Sequence, residues 1–252
     1  MDGQAPPERD ARLGRPLGTT GRVEGVLLLL PGGVPHSTRR PSPLAAAGSL
    51  GLARQAARAA RHLGEELTAH VVHYRYQGWN GTSAHPVADA SWALDELVHR
   101  YGDVPVCLAG AGLGGRAALR AAGHPAVVSV VALAPWLPEE PDADEEPVAQ
   151  LTDRQVLIVH GTNDRRSDPE RSYRLAERAR KAGIRVCRFE AHTDGHALRE
   201  YRAEVFALAT DFVLGTLCAQ DFARPVQDAL AAPPPLGLRM PLASGFGGSG
   251  GS

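Results

Sequence analysis

The sequence predicts an α/β fold, a mostly parallel sheet of about six strands with helices on both faces and a minimal lid. Short apolar runs and amphipathic helical stretches alternate about six times along the chain, the order expected of a parallel sheet with covering helices. The strand-like runs are continuously apolar rather than alternating, which is typical of strands buried on both faces. Gly-rich and polar turns follow these runs, and the carboxyl ends of parallel strands form the ligand site in such folds.

Composition and charge narrow the possible functions. The 252 residues carry a net charge of −1 and are 43% hydrophobic, so the chain can bury a large core and has no basic footprint for nucleic acid or anionic membranes. The longest aliphatic run, residues 26–30, is too short to span a bilayer, and the start lacks the apolar core of a signal peptide. Cys107, Cys187 and Cys218 lie apart in apolar segments, so we expect buried free thiols and a cytoplasmic protein.

Three regions differ in composition. We expect a flexible leader over residues 1–21, which is rich in Pro, Gly, Arg and Asp, and an α/β domain over residues 22–218. Residues 219–252 are rich in Pro, Ala, Gly and Ser and end in Gly-Gly-Ser-Gly-Gly-Ser. We expect this low-complexity tail to be disordered, and an expression linker would have the same composition. The acidic stretch 138–146 is expected to be solvated and is given no chemical role.

The predicted elements alternate regularly. Strands are predicted over 22–30, 67–74, 104–109, 126–133, 155–160 and 184–190, and helices over 52–63, 87–101, 116–122, 169–183 and 197–217. Apolar residues recur at helical spacing in the first two helices and in the last. Asp168 before Pro169 gives the fourth helix an N-cap and a favourable first residue, and Gly183 marks its end.

The central motif is the Gly-rich turn between the third strand and the third helix. A strand, a sharp turn and a helix carry the nucleophilic serine of many hydrolases as G-x-S-x-G. Residues 110–114 read Gly-Ala-Gly-Leu-Gly, so Gly112 stands where the serine would be. Acyl transfer by such a site needs a hydroxyl or thiol, and glycine supplies neither.

The same turn also matches a second motif. Gly110, Gly112 and Gly115 satisfy G-x-G-x-x-G, the dinucleotide-binding fingerprint. That fingerprint requires an acidic residue about 20 residues on, at the end of the next strand. The next strand ends in Ala-Pro-Trp instead, and the first acids, Glu139 and Glu140, lie in a loop. Nucleotide binding is therefore the disfavoured alternative.

Five motifs make residues 22–217 resemble the α/β-hydrolase superfamily. They are Leu-Leu-Leu-Leu-Pro-Gly-Gly, Tyr-Arg-Tyr-Gln-Gly-Trp-Asn-Gly, Gly-Ala-Gly-Leu-Gly-Gly-Arg-Ala-Ala-Leu, His-Gly-Thr-Asn-Asp and Asp-Gly-His-Ala-Leu. More closely, the chain resembles small actinobacterial hydrolases of the dienelactone-hydrolase and lysophospholipase kind. The family often has His-Ser where this chain has Ala111 and Gly112. Two changes at once favour natural divergence over a single engineered replacement.

The resemblance implies roles for particular residues. The family's chain order is nucleophile, acid, histidine, and Gly112, Asp164 and His196 stand in that order. Asp164 would orient His196, and His196 would act as the base. The remaining candidates are backbone donors of an oxyanion hole and side chains that contact substrate. They are Gly33 or Val34 with Leu113 for the oxyanion hole, and Arg75, Trp79 and Asn80 for substrate.

Some of these residues have simpler interpretations. Trp79 could equally be packing or a pocket wall. Asp168 competes with Asp164 for the role of acid, but capping a helix explains it fully. His192 and His196 lack a third metal ligand at a suitable spacing, and no metal or other cofactor is expected.

Three functions remain open at this stage. The first is a binding protein or pseudoenzyme that has lost serine hydrolysis. The second is an enzyme in which the Asp164–His196 dyad activates water or abstracts a proton from a small ester or carbonyl compound. The third is an esterase-like serine hydrolase whose nucleophile was removed. All three imply a small-molecule ligand in a shallow open cleft, since the short acidic connection leaves no room for a helical lid; a protein partner is compatible with the first.

Overall fold

The computed structural model describes residues 9–42, 45–137 and 146–247. Its strands are β1 (Arg12–Leu13), β2 (Leu17–Gly18), β3 (Gly25–Leu30), β4 (Leu67–His73), β5 (Val106–Ala111), β6 (Val127–Leu133), β7 (Gln155–Gly161), β8 (Arg185–Ala191) and β9 (Met240–Pro241). Its helices are α1 (Ala45–Leu63), α2 (His85–Tyr101), α3 (Leu113–Ala121), α4 (Pro169–Lys181), α5 (Arg202–Leu217) and α6 (Arg224–Ala231).

The strands form one mostly parallel sheet in the order β1-β4-β3-β5-β6-β7-β8-β9, with β2 also paired to β4. Strands β3 to β9 run parallel to their neighbours, whereas β1 and β2 are antiparallel to β4. The six long strands are the six that the sequence predicts. Because they are parallel, their carboxyl ends meet at one edge, and the turns that follow them lie close together.

The continuous apolar runs are explained by burial on both faces of the sheet. All six residues of β3 are buried, and they divide between two apolar clusters. Helices α1, α5 and α6 contribute to one cluster, and α2, α3 and α4 to the other. Burying one Leu, Val or Phe side chain fully stabilises the folded state by about 1.5–3 kcal/mol. The mostly parallel α/β fold predicted from the sequence is confirmed.

Parts of the predicted leader and of the predicted tail form regular secondary structure. Strands β1 and β2 lie within the predicted leader and pair with β4, so that Arg12 opposes His73 and Leu17 opposes Ala69. In the predicted disordered tail, α6 packs against the core and β9 extends the sheet beside β8. The prediction of flexibility is therefore wrong for these elements. A strand of two residues is too short to show a hydrophobic period. These strands pair with the outer long strands of the sheet, whose backbone N–H and C=O groups would otherwise lack partners.

The last long helix begins at Arg202 rather than at residue 197. The preceding turn is held by Asp194, whose carboxylate accepts hydrogen bonds from the backbone N–H groups of Gly195, Arg199, Glu200 and Tyr201 at 2.8–3.1 Å. An acid that collects four N–H groups stabilises a loop in place of a first helical turn. This loop carries His196.

Glu146 corrects the expectation of a solvated acidic stretch. Residues 138–145 lie outside the described residues, as does most of the connection predicted to replace a lid. Glu146 itself is buried and pairs with Arg116 at 2.8 Å and with Arg120. The Arg116 guanidinium also lies over the rings of Trp79 and Trp136, at 4.1 and 5.1 Å from their centroids. A buried carboxylate requires such paired charges, so Glu146 is held against α3 by these two arginines.

Of the helices in the described residues, none is both long enough and apolar enough to cross a membrane. Cys107 and Cys187 are buried free thiols, and Cys218 is a half-buried one.

Candidate functional site

The turn from β5 to α3 is a sharp elbow with Gly112 at its apex. Gly112 has φ 55° and ψ −120°, a backbone conformation that glycine adopts freely and L-residues adopt only under strain. Its N–H donates to the Leu133 carbonyl at 2.8 Å, and its carbonyl accepts from the Trp136 N–H at 2.9 Å. The elbow is therefore fixed by backbone hydrogen bonds to the strand end beside it.

The glycines on either side make this turn possible. A Cβ on Gly110 would lie 2.3 Å from the carbonyl carbon of Gly114, and one on Gly114 would lie 2.0 Å from the Leu30 oxygen. No side chain fits at these distances, so both positions require glycine for α3 to approach the sheet. The frame of the G-x-S-x-G motif is intact in three dimensions.

Asp164 and His196 meet beside the elbow, as their chain order leads us to expect. Asp164 follows β7 and His196 follows β8, and the His196 Nδ1–H donates to Asp164 Oδ2 at 2.8 Å. Asp164 is 7% exposed, while the His196 side chain is 23% exposed. The other oxygen of Asp164 accepts from the N–H groups of Arg166 at 2.8 Å and Ser167 at 3.1 Å.

These contacts set the ionisation of Asp164. Burial by itself would raise its pKa, but hydrogen bonds from His160, the Arg166 backbone N–H and His196 together lower the pKa well below the ordinary value of an aspartate. The carboxylate is therefore ionised at neutral pH and holds the proton of His196 on Nδ1. This leaves Nε2 as the nitrogen that can act as base or acceptor.

His196 Nε2 lies against the apex of the elbow. A Cβ built on Gly112 would lie 3.0 Å from Nε2 and 3.5 Å from Cε1. Nε2 makes no hydrogen bond within the described ranges. The imidazole thus fills the space in which a side chain at position 112 would begin, and any such side chain would have to push it back by a few tenths of an ångström.

The proposed oxyanion donors divide into two groups. The N–H groups of Gly33 and of Leu113, the first residue of α3, have no acceptor in the part of the chain that the structure describes. Val34 differs, because its N–H donates to the Gln77 carbonyl at 3.1 Å. The Leu113 side chain lies beside Gly33, since a Cβ added to Gly33 would be 3.4 Å from Leu113 Cδ2. Gly33 and Leu113 are therefore the available donor pair, and Val34 is not available.

A cleft of about 570 Å³ opens over the elbow. We call it the elbow cleft. Its apolar lining consists mainly of Leu29, Leu52, Leu133, Val205 and Phe206, and its long polar side chains are Gln77, Arg166, Arg199 and Arg202. These three arginines are exposed, and no carboxylate in the described ranges pairs with them or lines the cleft. The cleft therefore has a largely apolar lining, and the charges of its three arginines are positive.

Arg75 and Trp79, predicted to bind substrate, lie away from the elbow cleft. The Arg75 Nε–H and N–H donate to the fully buried carboxylate of Asp89. Trp79 is 5% exposed and packs beneath the Arg116 guanidinium. Both residues support the fold around the site, because a buried aspartate and a buried arginine each need a partner.

Asn80, the third predicted substrate residue, also has a structural role. Its Oδ1 accepts from the Ser37 N–H at 2.8 Å, and its Nδ2–H donates to the carbonyls of Ser37 and Gly78 at 3.1 and 3.2 Å. These bonds join the loop after β3 to the loop after β4. Gln77, three residues earlier, is the residue of this segment that lines the elbow cleft.

His160 is a site residue that the sequence analysis missed. It is the penultimate residue of β7 and is fully buried, and its Nε2 lies 3.1 Å from both Asp164 Oδ2 and the Ser167 carbonyl oxygen. Its Nδ1 lies 2.9 Å from the Ser172 hydroxyl. Burial lowers the pKa of His160, against the opposing effect of Asp164. The available signal was a histidine at the end of an apolar strand, four residues before Asp164.

Asp168, the alternative acid, has a structural role. Asp168 caps α4 by accepting from the Glu170 N–H at 2.9 Å, as predicted. Within the described ranges, no three His, Cys, Asp or Glu side chains come close enough together to hold a metal ion.

No family model and no curated protein matches this chain. Solved structures do match. An esterase from Thermogutta terrifontis has a TM-score of 0.60 at 16% identity, covering 84% of this chain and 92% of its own. The chain has the α/β-hydrolase fold. A monoacylglycerol lipase from Paleococcus ferrophilus has a TM-score of 0.57 at 15% identity, covering 82% and 99%. An alpha-beta serine hydrolase homologue from Coxiella burnetii has a TM-score of 0.52 at 19% identity, covering 79% and 89%.

Proposed function

We propose that this α/β-hydrolase-fold protein binds a small acyl compound in the elbow cleft and forms no acyl-enzyme. The observation that carries the proposal is the contact at the apex. Gly112 has no side chain, and His196 Nε2 lies 3.0 Å from the point where one would begin. Covalent catalysis needs a hydroxyl or thiol at that point. Cys107, the thiol of β5, is fully buried, and burial raises its pKa to about 12, so it is no substitute.

The lining of the elbow cleft supports an acyl ligand with a negative charge. An apolar interior suits a short hydrocarbon chain, and the N–H groups of Gly33 and Leu113 suit a carbonyl or carboxylate oxygen. Arg166, Arg199 and Arg202 favour an anion, since no carboxylate lines the cleft in the described ranges. The similar Thermogutta esterase has been solved with butyrate and with propionate bound. A short-chain carboxylate or its ester is therefore the proposed ligand class.

A second candidate function is hydrolysis by the Asp164–His196 dyad without a covalent intermediate. It is favoured by the unpartnered Nε2 of His196, which is free to accept a proton from water. Water would lose that proton to Nε2 as its oxygen bonds to the ester carbonyl carbon, and the resulting oxyanion would accept from Gly33 and Leu113. As the oxyanion re-forms the carbonyl, the bond from carbon to the alcohol oxygen would break, and the proton on Nε2 would pass to the departing alcohol, leaving the carboxylic acid.

The finer assignments remain proposals. We infer kinship with small actinobacterial hydrolases of the dienelactone-hydrolase and lysophospholipase kind, on the five sequence motifs alone. We also infer a cytoplasmic protein, supported by the free thiols of Cys107, Cys187 and Cys218.

Restoring the nucleophile tests the proposal. Gly112→Ser should hydrolyse 4-nitrophenyl butyrate at least about 100-fold faster than the parent, because Asp164, His196 and the backbone donors are in place. The parent should not react with a fluorophosphonate probe, and the serine variant should. Isothermal calorimetry with butyrate should detect binding to the parent.

The controls separate the candidate functions. Gly112→Ala should be inactive, and Gly112→Ser combined with His196→Ala should lose the gain. If Gly112→Ser folds yet neither hydrolyses the ester nor takes the label, the proposal that only the nucleophile is missing is wrong. If the parent hydrolyses the ester and His196→Ala abolishes that activity, the dyad mechanism replaces the binding function.

A further inference from the structure

A second and larger cleft, of about 890 Å³, lies on the other side of α1 from the elbow cleft. We call it the basic cleft. Its walls come from residues 9–15, the loop after β3 at 40–42, the first turns of α1, and the end of β4 at 72–75. Ala46 and Leu50 of α1 line the basic cleft, whereas Gly48, Ser49 and Leu52 line the elbow cleft. Neither Gly112, Asp164 nor His196 reaches the basic cleft, so it is separate from the candidate active site.

The charge of the basic cleft is strongly one-sided. Its charged lining is Arg9, Arg12, Arg15, Arg40, Arg75 and Asp10, together with His73. Of the five arginines, Arg75 has its charge matched by Asp89. Arg9 donates to the Thr38 carbonyl at 2.8 Å, which satisfies a donor but does not neutralise charge. No carboxylate in the described ranges forms an ion pair with Arg9, Arg12, Arg15 or Arg40. Arginines that lie close together without ion-pair partners repel one another, and a bound anion would reduce that repulsion.

Uncharged side chains form the rest of the lining. Tyr74, which is 5% exposed, contributes to the wall, while its hydroxyl is enclosed within the protein. Apolar side chains complete the walls, among them Leu13, Val72, Ala46 and Leu50. The basic cleft thus combines cationic, polar and apolar lining, as sites for organic ligands do.

We propose that the basic cleft binds a small organic diphosphate. The planar guanidinium donates two parallel hydrogen bonds to a phosphate, which makes arginine the preferred residue for recognising it. Four arginines without an ion-pair partner match the several charges of a diphosphate better than the single charge of a carboxylate. The apolar walls accept the organic part, and the volume lies within the range of small-molecule sites. This function goes beyond the proposed acyl binding and does not depend on it.

Calorimetry with inorganic pyrophosphate tests the proposal. We expect binding to the parent at physiological salt and about tenfold or greater weakening in Arg12→Gln/Arg15→Gln/Arg40→Gln, because charge-assisted hydrogen bonds are lost. The matched control is Arg54→Gln/Arg58→Gln/Arg61→Gln on the exposed side of α1, which removes the same charge elsewhere. The control should weaken binding less than twofold. Adenosine diphosphate should bind at least as tightly as pyrophosphate if the apolar walls contribute.

Three results would overturn the proposal. They are no binding of pyrophosphate by the parent, equal weakening in the two triple variants, and displacement of pyrophosphate by butyrate, which would assign the anion to the elbow cleft. If the cleft variant fails to fold, Arg15→Glu against Arg58→Glu asks the same question with single exposed side chains. Arg15→Glu should weaken pyrophosphate about tenfold by charge reversal, and no difference from Arg58→Glu would contradict the site.

Discussion

The candidate site has two halves. One is the elbow turn at Gly112, and the other, which we call the acid–base half, consists of the two turns that carry Asp164 and His196. The two halves differ in the interactions that hold their geometry. At the elbow, residues 110–112 are Gly-Ala-Gly, and the geometry is fixed by backbone hydrogen bonds and by close approaches that exclude side chains. In the acid–base half, hydrogen bonds to side-chain carboxylates fix the geometry. Asp164 accepts from two imidazoles and two backbone N–H groups, and Asp194 gathers four N–H groups beneath the loop that carries His196.

The difference explains how glycine can occupy the apex of this elbow. A backbone-built elbow keeps its shape whether residue 112 is serine or glycine, and glycine relieves the strain of its positive φ. A side-chain-built network has no such freedom, since each member satisfies buried polar groups of the others. Side-chain changes should therefore cost stability for opposite reasons: loss of a partner in the acid–base half, and gain of a Cβ at the elbow.

The largest expected effect is that of Asp164→Ala. It removes the acceptor of four hydrogen bonds and leaves the buried N–H of Ser167 without an acceptor, while the His160 Nε2–H keeps the Ser167 carbonyl at 3.1 Å. We expect the free energy of unfolding in urea to fall by about 2–4 kcal/mol. Asp164→Asn keeps one acceptor oxygen for the backbone and should cost less. An Ala variant as stable as the parent would show that the network is not a structural unit.

At the elbow, Gly112→Ala should destabilise by about 1–3 kcal/mol, because an L-residue is strained at φ 55°. Part of this cost comes from the contact with His196. In the His196→Ala background, the same substitution should therefore cost about 0.5–1 kcal/mol less. Urea unfolding of the four proteins in this cycle measures the coupling. Zero coupling would mean that a Cβ is accommodated without moving the imidazole.

The acid–base half should also make stability depend on pH. The pKa of Asp164 is lower in the folded protein than in the unfolded chain, where it is about 3.9. Its stabilisation is therefore fully present above that value and is lost as the pH falls toward the folded pKa. From pH 5 to pH 3, the parent should lose about 1 kcal/mol more than Asp164→Asn. Parallel unfolding curves of the two proteins at each pH would contradict the lowered pKa.

The sequence predicts the six long strands correctly because each is a continuous apolar run that can only be satisfied by burial on both faces. It misses β1, β2 and β9, because strands of two residues have no period to detect. Helix α5 begins later than predicted, because the four N–H groups gathered by Asp194 replace its first turn. That contact depends on the folded loop and is not visible in hydrophobic spacing.

The candidate site likewise has residues that the sequence places correctly and residues that it does not. Chain order and the glycine frame suffice to bring Gly112, Asp164 and His196 together, because each follows a strand of the same parallel sheet. The predicted substrate contacts do not follow from position alone, since a loop at the right edge still has an inner and an outer side. Asn80 is satisfied by Ser37, 43 residues earlier, and sequence spacing gives no sign of that pairing.

The smallest expected effect is on ligand binding, and it separates these two sides of one loop. Asn80→Ala should lower the free energy of unfolding by about 1–2 kcal/mol, since it loses two hydrogen bonds to Ser37 of the neighbouring loop and one to Gly78 of its own loop. It should change the dissociation constant for butyrate by less than about twofold, because the side chain lies outside the elbow cleft. Gln77→Ala is the matched substitution, as Gln77 lines that cleft, and it should weaken butyrate about two- to fivefold. Calorimetry on the two variants decides the matter: if Asn80→Ala weakens butyrate more than Gln77→Ala does, the ligand lies on the outer side of the loop and the elbow cleft is not its site.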